Sequence, residues 1–461
     1  MAGGESAGGD QTMASFTSRV ILWGAVVVCL QTLQGSSVRA QTVLLAETVE
    51  PGICQQVRLD LSVKGSLKVL RGDSQATLPL HAKADQVFVE RLMAGGAPGQ
   101  PMRAARRYET AKATITVDGV TSQRKLRDER RLMIFQRQQG VPTHYSPAGA
   151  LLREELELIG EHLDTLAIPS LLPGKEIKVG DTWEIPNFAV QAICDLEGLE
   201  SHSITGTLQG WTEGMATLAF AGKVNGIQNG SAMKIEVNGR AKFDTNAKQV
   251  TELRWSQHDQ REAGPATPAS EVDAEVLVNR QKIDKPASLD DGALAAAPMG
   301  FDPPASALLL EYRDPQKRFE LLHERGWTQV TRTQNHLVLR LMEKGDFLAQ
   351  ATITQWANAG KGRHQSPEDF QAAIRKIPGW EQAEALSSGE VPSGDKRWIY
   401  RHAVAGKLEG VEVLQTFYLI AGPDGDQVVV TVTCTPKLAA RIAGRDQALA
   451  TSLEFPIMEE K

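Results

Sequence analysis

Apolar and polar residues alternate most cleanly over Ser231 to Asp244. Met233, Ile235, Val237, Ala241 and Phe243 share one parity there, and Lys234, Glu236, Asn238, Arg240 and Lys242 share the other. A period of two with one apolar side predicts a strand with one buried and one wet face, as in an antiparallel sheet. Asp244-Thr245-Asn246-Ala247 is turn chemistry, so Val250 to Trp255 reads as the return strand of a hairpin. Val272 to Val278 fits a further strand, and Ala111, Ala113, Ile115 and Val117 alternate with polar residues up to the Asp118-Gly119 turn. One helix interrupts the pattern. Ser146 suits its N-cap and Pro147 its first position, and Leu152, Leu156, Ile159, Leu163 and Leu166 recur at helical spacing. Glu154, Glu155, Glu157 and Glu161 then fall on its remaining, solvated faces. Farther on, Pro173-Gly174 and Gly180-Asp181 bracket a short strand, and Trp183 supplies a large apolar group behind it.

Between Ala263 and Pro304 the composition shifts toward Pro, Ala, Gly and Asp, and the part from Asp284 reads as a flexible, partly extended linker. Beyond it, Leu337, Leu339 and Leu341 predict a strand, with Phe347 to Trp356 as its partner across Lys344-Gly345-Asp346. A helix follows with Ser366 as N-cap, Pro367 first, Asp369 completing a capping box, and Phe370, Ala373, Ile374 and Ile377 on its inner face. Strands fit Arg397 to Val404, Val411 to Ile420 and Gln427 to Cys434, with Pro423-Asp424-Gly425 turning the last hairpin and a helical region opening at Pro436.

A chain of 461 residues is too long for one ordinary core. The expected fold class is therefore α+β and β-rich, in two domains. A curved antiparallel sheet with one amphipathic helix is expected over residues 41–283, a Pro/Ala-rich linker over 284–313, and an antiparallel sheet with flanking helices over 314–457. The element order of this second half, with Phe319 before Gly326-Trp327 and the closing Ser452-Leu453-Glu454-Phe455, resembles the PsbP-like α/β fold. That resemblance implies a non-enzymatic accessory or binding protein of membranes and envelopes. The Leu172-Pro173 to Trp183 segment resembles one in secreted proteins of planctomycete-like bacteria, a group with no activity to transfer.

The N-terminus adds a location. Arg19 closes a polar lead, Val20 to Leu30 is apolar, and Gln31 to Ala40 is polar and small, with Val38 and Ala40 suited to the positions before a signal-peptidase cut. Residues 1–40 are expected to be a cleaved signal, leaving Gln41 as the new N-terminus. The apolar run is shorter than the about 20 residues of a spanning helix, so no transmembrane span is expected in the mature chain. Initiation at Met1 or at Met13 stays open. Cys29 belongs to the apolar core of the signal, and Val28 before it is too bulky for lipoprotein processing. Cys54, Cys194 and Cys434 remain. Cys434 shares a strand face with Val428, Val430 and Val432 and is expected to be buried. Cys54 and Cys194 are either a disulfide or two buried thiols.

Apolar and charged fractions of 41% and 23% are those of a globular protein, and a net charge of -6 argues against nucleic acid as a partner. The chemistry that could sit on this frame is sparse. Gly4-Glu5-Ser6-Ala7-Gly8 matches a nucleophile elbow but lies upstream of the signal, away from any strand and helix. The histidines have no zinc-ligand spacing, and Glu161-His162 reads as a boundary pair. Glycine motifs for nucleotides are absent, so no cofactor, metal or catalytic residue is assigned. The basic stretch Arg124 to Arg131 contains Asp128 and Glu129 and reads as a solvated strand face. The tryptophans beyond the signal read as core, and Asn229-Gly230-Ser231 is a sequon only by pattern. The function expected is that of an exported, non-catalytic envelope protein, periplasmic or extracellular, which binds an apolar ligand or an envelope protein. A hydrolase of unrecognised type is the alternative.

Overall fold

The computed structural model describes residues 42–456, except 72–73, 96–101, 139–140, 161–162, 229, 265–266, 344 and 395. The expectations at Ala40, Gln41, Cys29, Gly4 to Gly8, Glu161-His162 and Asn229 lie outside the described residues.

One-sided strands build a thirteen-stranded antiparallel sheet. Its main path runs Thr182–Glu184, Thr205–Thr212, Met215–Gln228, Ser231–Asp244, Gln249–Arg261, Ala269–Ile283, Cys54–Arg71, Ser74–Ala94, Met102–Val117, Leu132–Gln138 and Val141–Tyr145. Along Ser231–Asp244 buried and exposed positions alternate as the pattern requires. Residues from opposite parts of this path, such as Phe88 and Phe220, fall in one continuous core. The sheet is therefore curled around what fills it. The filling is the chain's own segment from Leu163 to Leu196: the 3-10 helix Thr165–Leu171, the short helix Asn187–Ile193, and Trp183, whose indole donates to the Leu171 carbonyl at 2.9 Å. Glycine permits the close packing. A Cβ on Gly239 would lie 2.7 Å from the Trp255 ring, and one on Gly65 would lie 2.1 Å from the Glu271 carbonyl oxygen across the strand pair.

A seven-stranded antiparallel sheet follows, in the order Trp327–Arg332, His336–Glu343, Asp346–Trp356, Gln427–Cys434, Val411–Ala421, Trp398–Leu408 and Trp380–Glu390. Its two faces are covered separately. Phe319, Ile442, Leu449 and Leu453 pack with Val428, Val430, Val432 and Cys434, while the helix Pro367–Ile374 packs Phe370 and Ile374 against Phe417, Leu419 and Val429. Ser366 caps that helix, accepting from the Asp369 amide at 3.1 Å. The fold is β-rich α+β, with 57% strand and 14% helix. Leu310–Arg313 lies between Glu320–His323 and Leu151–Leu152, pairing in parallel with the latter, so backbone pairing links the two halves.

Several local expectations are corrected. The helix does not begin at Pro147. Ser146 and Gly149 form an antiparallel bridge, Gly149 has φ 129°, and the helix spans Arg153–Gly160 only. Glu155 is completely buried instead of solvated. It accepts from the Leu152 amide at 2.8 Å, a reciprocal first-turn cap, and is clamped by Arg127. Leu163 and Leu166 belong to the filling segment. The stretch expected to be a flexible linker instead buries Leu289, Leu294 and Ala297 against Val89, Ala105, Ile134 and Tyr145. Arg91 donates to the Leu289 carbonyl there and Gln136 to the Phe301 carbonyl. The residues it covers alternate with Phe88, Ala104 and Phe135 of the curled core, so it straps the sheet's opposite face. Ile377 is exposed, not inward.

The described cysteines are free and buried. Of the two alternatives for Cys54 and Cys194, the structure holds two separate thiols. Cys54 opens its strand opposite Arg91 and Ile283, whereas Cys194 caps the helix Asn187–Ile193 in the filling segment.

Candidate functional site

Strands of the curled sheet are long, so their two ends sit in different surroundings. At one end the inward residues are polar and tightly paired. Glu90 accepts from Gln55 at 2.6 Å and from Arg106 at 2.6 Å, and Arg106 also donates to the Thr165 hydroxyl at 2.8 Å. Gln55 accepts from Gln249 at 2.8 Å and Arg280 at 3.2 Å, and Arg280 pairs with Glu47. Only about 30 Å³ of space remains among these groups.

At the other end the same strands line a cleft of about 460 Å³. Val63, Leu67 and Leu80, with Val272 on the adjoining strand and Met233 farther along the sheet, give it an apolar floor, and Leu156 overhangs it from the helix Arg153–Gly160. Val63, Val272 and Ala274 form an apolar cluster of their own with Leu80 and Ala82, joined to the core around the filling segment through Leu61, which packs against both. The wall is charged. Along Gln249–Arg261, Trp255 donates to Gln257 at 3.0 Å and Gln257 donates to Asp259 at 3.0 Å, a buried relay on the inward face that leads to the cleft. Asp195, at φ 50° just past the filling helix, accepts from Gln228.

Two arginines meet at the cleft from separate parts of the chain. Arg153, at the start of its helix, donates to the carbonyls of Arg325 and Trp327, the latter at 2.9 Å. Arg325 donates to the carbonyls of Leu308 at 2.9 Å and His144 at 2.6 Å. Both are half-buried, and among the described residues neither is paired with a carboxylate. Glu157, one turn along the helix from Arg153, is held by Arg124 at 2.8 Å. Burial, then the neighbouring Arg153, pulls the Arg325 guanidinium down to about 10, and burial pulls Arg153 down against the opposing pull of Glu157. His144 lies on the Phe135 ring at 4.3 Å, with the Arg106 guanidinium at 3.7 Å from the same ring. Burial lowers His144 to about 3, helped by Arg106, Arg325 and Arg137 and opposed by Asp164, so its imidazole is neutral.

Only Arg124 and Lys125 of the basic stretch lie on a solvated strand, Val120–Lys125; the remainder leaves it. The stretch ends in the 3-10 turn Asp128–Arg130, and Arg127 grips Glu155 at 2.8 Å and Glu311 at 2.9 Å. A larger groove of about 760 Å³ crosses the outward face of the sheet, but its Lys83, Lys112, Lys125 and Arg254 are interspersed with Asp60, Asp85 and Glu275. Among the described residues no group of three His, Cys, Asp or Glu is placed to hold a metal, and no helix is long and apolar enough to cross a membrane.

No family model and no curated protein matches this chain. Solved structures give weak likenesses. The solution structure of cyanobacterial PsbP from Synechocystis sp. PCC 6803 is 14% identical with a TM-score of 0.27, covering 35% of this chain and 100% of its own. The Ran-binding protein Mog1p of Saccharomyces cerevisiae is 12% identical with a TM-score of 0.25, over 32% of this chain and 95% of its own. Lipovitellin is 9% identical with a TM-score of 0.31, over 53% and 26%. The likeness to PsbP agrees at this coarse level with the resemblance read from the second half, and none of the three carries a functional conclusion.

Sequence reading did not find the cleft. One signal for it was present: Leu253, Trp255, Gln257 and Asp259 share a parity, so the apolar face of a strand turns polar toward its end. Polar groups on an inward face mark either a satisfied network or the wall of a site.

Proposed function

We propose that this chain is an exported, non-catalytic binding protein of the cell envelope that holds an apolar molecule at the unfilled end of its curled sheet. The observation that supports this reading is the apolar cluster of Val63, Val272 and Ala274 with Leu80 and Ala82, which touches the main core only through Leu61 and is not incorporated into it by the filling segment. A volume of about 460 Å³ falls within the roughly 300–1,000 Å³ of ordinary small-molecule sites, and an apolar floor with a few convergent polar groups is their usual chemistry. Export rests on the Val20 to Leu30 run and the small residues before Gln41; N-terminal sequencing of the secreted protein should begin at Gln41, and a mature form retaining Val20 to Leu30 would defeat that part.

Binding is tested with dodecanol, a neutral alkyl ligand, titrated into the full chain. Saturable binding is expected, and Leu80→Glu, which sets a carboxylate on the half-buried floor, should weaken it about tenfold or more. A wild-type chain that takes up no dodecanol, or one whose uptake is indifferent to Leu80→Glu, would overturn the assignment of this cleft.

A further inference from the structure

Two cationic side chains from residues 172 positions apart are brought to one end of the cleft, and each spends its hydrogen bonds on main-chain carbonyls. Arg103, which donates to the Tyr145 hydroxyl and the Pro298 carbonyl, and Arg130, which donates to the Ala150 carbonyl, do the same singly, but Arg153 and Arg325 do so side by side. Arg106, Arg127, Arg137, Arg280 and Arg318 are each matched to a carboxylate. Arg153 keeps a buried Nε without a hydrogen-bond partner, and the Nη1 of Arg325 is not used in the carbonyl contacts described. Half-buried positive charges of like sign oppose one another and are stabilised by an anion that accepts from the free edges of both. The neutral His144 beside them adds no competing charge, and Glu157 is already held by Arg124. The wall also carries Glu157, Asp195, Asp259 and Arg261, so the place for an anion is the Arg153–Arg325 corner alone: an apolar floor that meets two adjacent guanidiniums fits an alkyl chain ending in an anionic group.

We propose that the cleft binds an anionic amphiphile, its carboxylate or phosphate held by Arg153 and Arg325 and its alkyl chain lying on Val63, Leu67, Leu80 and Val272. This rests on the reading of the cleft as a binding site and adds the sign and place of the headgroup.

The test titrates the full chain with dodecanoate, dodecyl phosphate, dodecanol and dodecyltrimethylammonium at monomeric concentrations. At least one anion should bind about tenfold or more tightly than dodecanol, because hydrogen bonds to a charged group carry discrimination of that size. The cation should bind more weakly than dodecanol, and added salt should weaken the anion alone. Which anion binds better distinguishes a carboxylate from a phosphate source. Arg325→Gln and, independently, Arg153→Gln should remove most of the anion preference, read as the ratio of anion to dodecanol affinity in the same variant. Arg325→Lys should keep part of it. Equal affinity for dodecanol and both anions would overturn the headgroup assignment and leave the cleft reading standing. A preference that survives both glutamine variants would place the anion elsewhere and also overturn it. Failure of all four ligands to bind would remove the cleft reading itself. Circular dichroism establishes that each variant is folded, and whichever of the two glutamine variants folds suffices for the test.

Discussion

The two ends of the curled sheet are made by the same strands and differ in their charges: at one end Glu90 is paired with Arg106 and Glu47 with Arg280, and at the other Arg153 and Arg325 have no carboxylate partner among the described residues. Along Cys54–Arg71 the inward face passes from Gln55 in the paired network to Val63 on the cleft floor in eight positions, about 26 Å of extended chain. Along Gln249–Arg261 it passes from Gln249, bonded to Gln55, to Asp259 at the cleft. The paired end leaves almost no space, and the unpaired end leaves a cavity of ligand size. A fold that can satisfy Glu90 twice and Arg106 twice has the means to neutralise Arg153 and Arg325 as well. That it does not do so, where the apolar floor is also left open, is what separates a structural network from a binding wall.

The largest expected effect lies at the paired end. Glu90→Leu leaves Arg106 buried without its carboxylate, and the loss should be about 3–5 kcal/mol, read by urea unfolding. Combining it with Arg106→Met should recover most of that loss, because an apolar pair of similar volume no longer buries an unmatched charge. A single substitution that loses under about 1 kcal/mol would show that the pair is solvated and would erase the contrast between the ends.

What the sequence made legible, and what it hid, divides along the same line. Strands with one wet face, such as Ser231–Asp244 and Ala269–Ile283, announced themselves because solvent and core impose a period of two. The helix Asn187–Ile193 was not legible, because Ala189, Val190, Ala192 and Ile193 are buried on nearly all sides and leave no polar face to set a period. The edge strand Trp380–Glu390 failed for the opposite reason: past Trp380 it is mostly exposed on both faces, so Gln382, Glu384, Ser387 and Ser388 carry no alternation. The strap over 287–297 was hidden by its Pro, Ala and Gly content, which describes a linker equally well until Leu289 and Leu294 are seen to be buried. At the cleft, Gln257 and Asp259 were readable as polar groups on an apolar parity. Arg153 and Arg325 were not, since only the tertiary fold brings them together.

A second, smaller effect sharpens the contrast through pH. The folded state holds His144 near 3 against an ordinary 6.5, so its neutral form is the one favoured by folding. Its contribution is complete above about 6.5 and is lost as the pH falls toward 3, with a slope of at most about 1.4 kcal/mol per pH unit. His323, lowered by burial to about 4, works in the same direction, so the comparison must be between the wild type and His144→Gln. From pH 6 to pH 4 the wild type should lose about 2 kcal/mol more than the variant. Parallel losses would mean that His144 is protonated in the folded state, adding a further cation beside Arg325.

The smallest expected change belongs to Arg325, and its smallness is the point. Arg325→Gln removes donors to the Leu308 and His144 carbonyls, which opposes folding, and also removes a half-buried charge beside Arg153, which favours it. The two contributions have similar size and opposite sign, so unfolding free energy should change by less than about 1 kcal/mol, far below the loss at Glu90. Salt separates them. Raising ionic strength screens the repulsion between Arg153 and Arg325, so the wild type should gain on the variant as salt is added, whereas the buried Glu90–Arg106 pair should respond little. A loss above about 3 kcal/mol for Arg325→Gln, with no salt dependence, would make Arg325 a structural tie between the halves of the chain. The two ends of the sheet would then be alike, and the cleft would be a gap in packing with no charge held ready for a ligand.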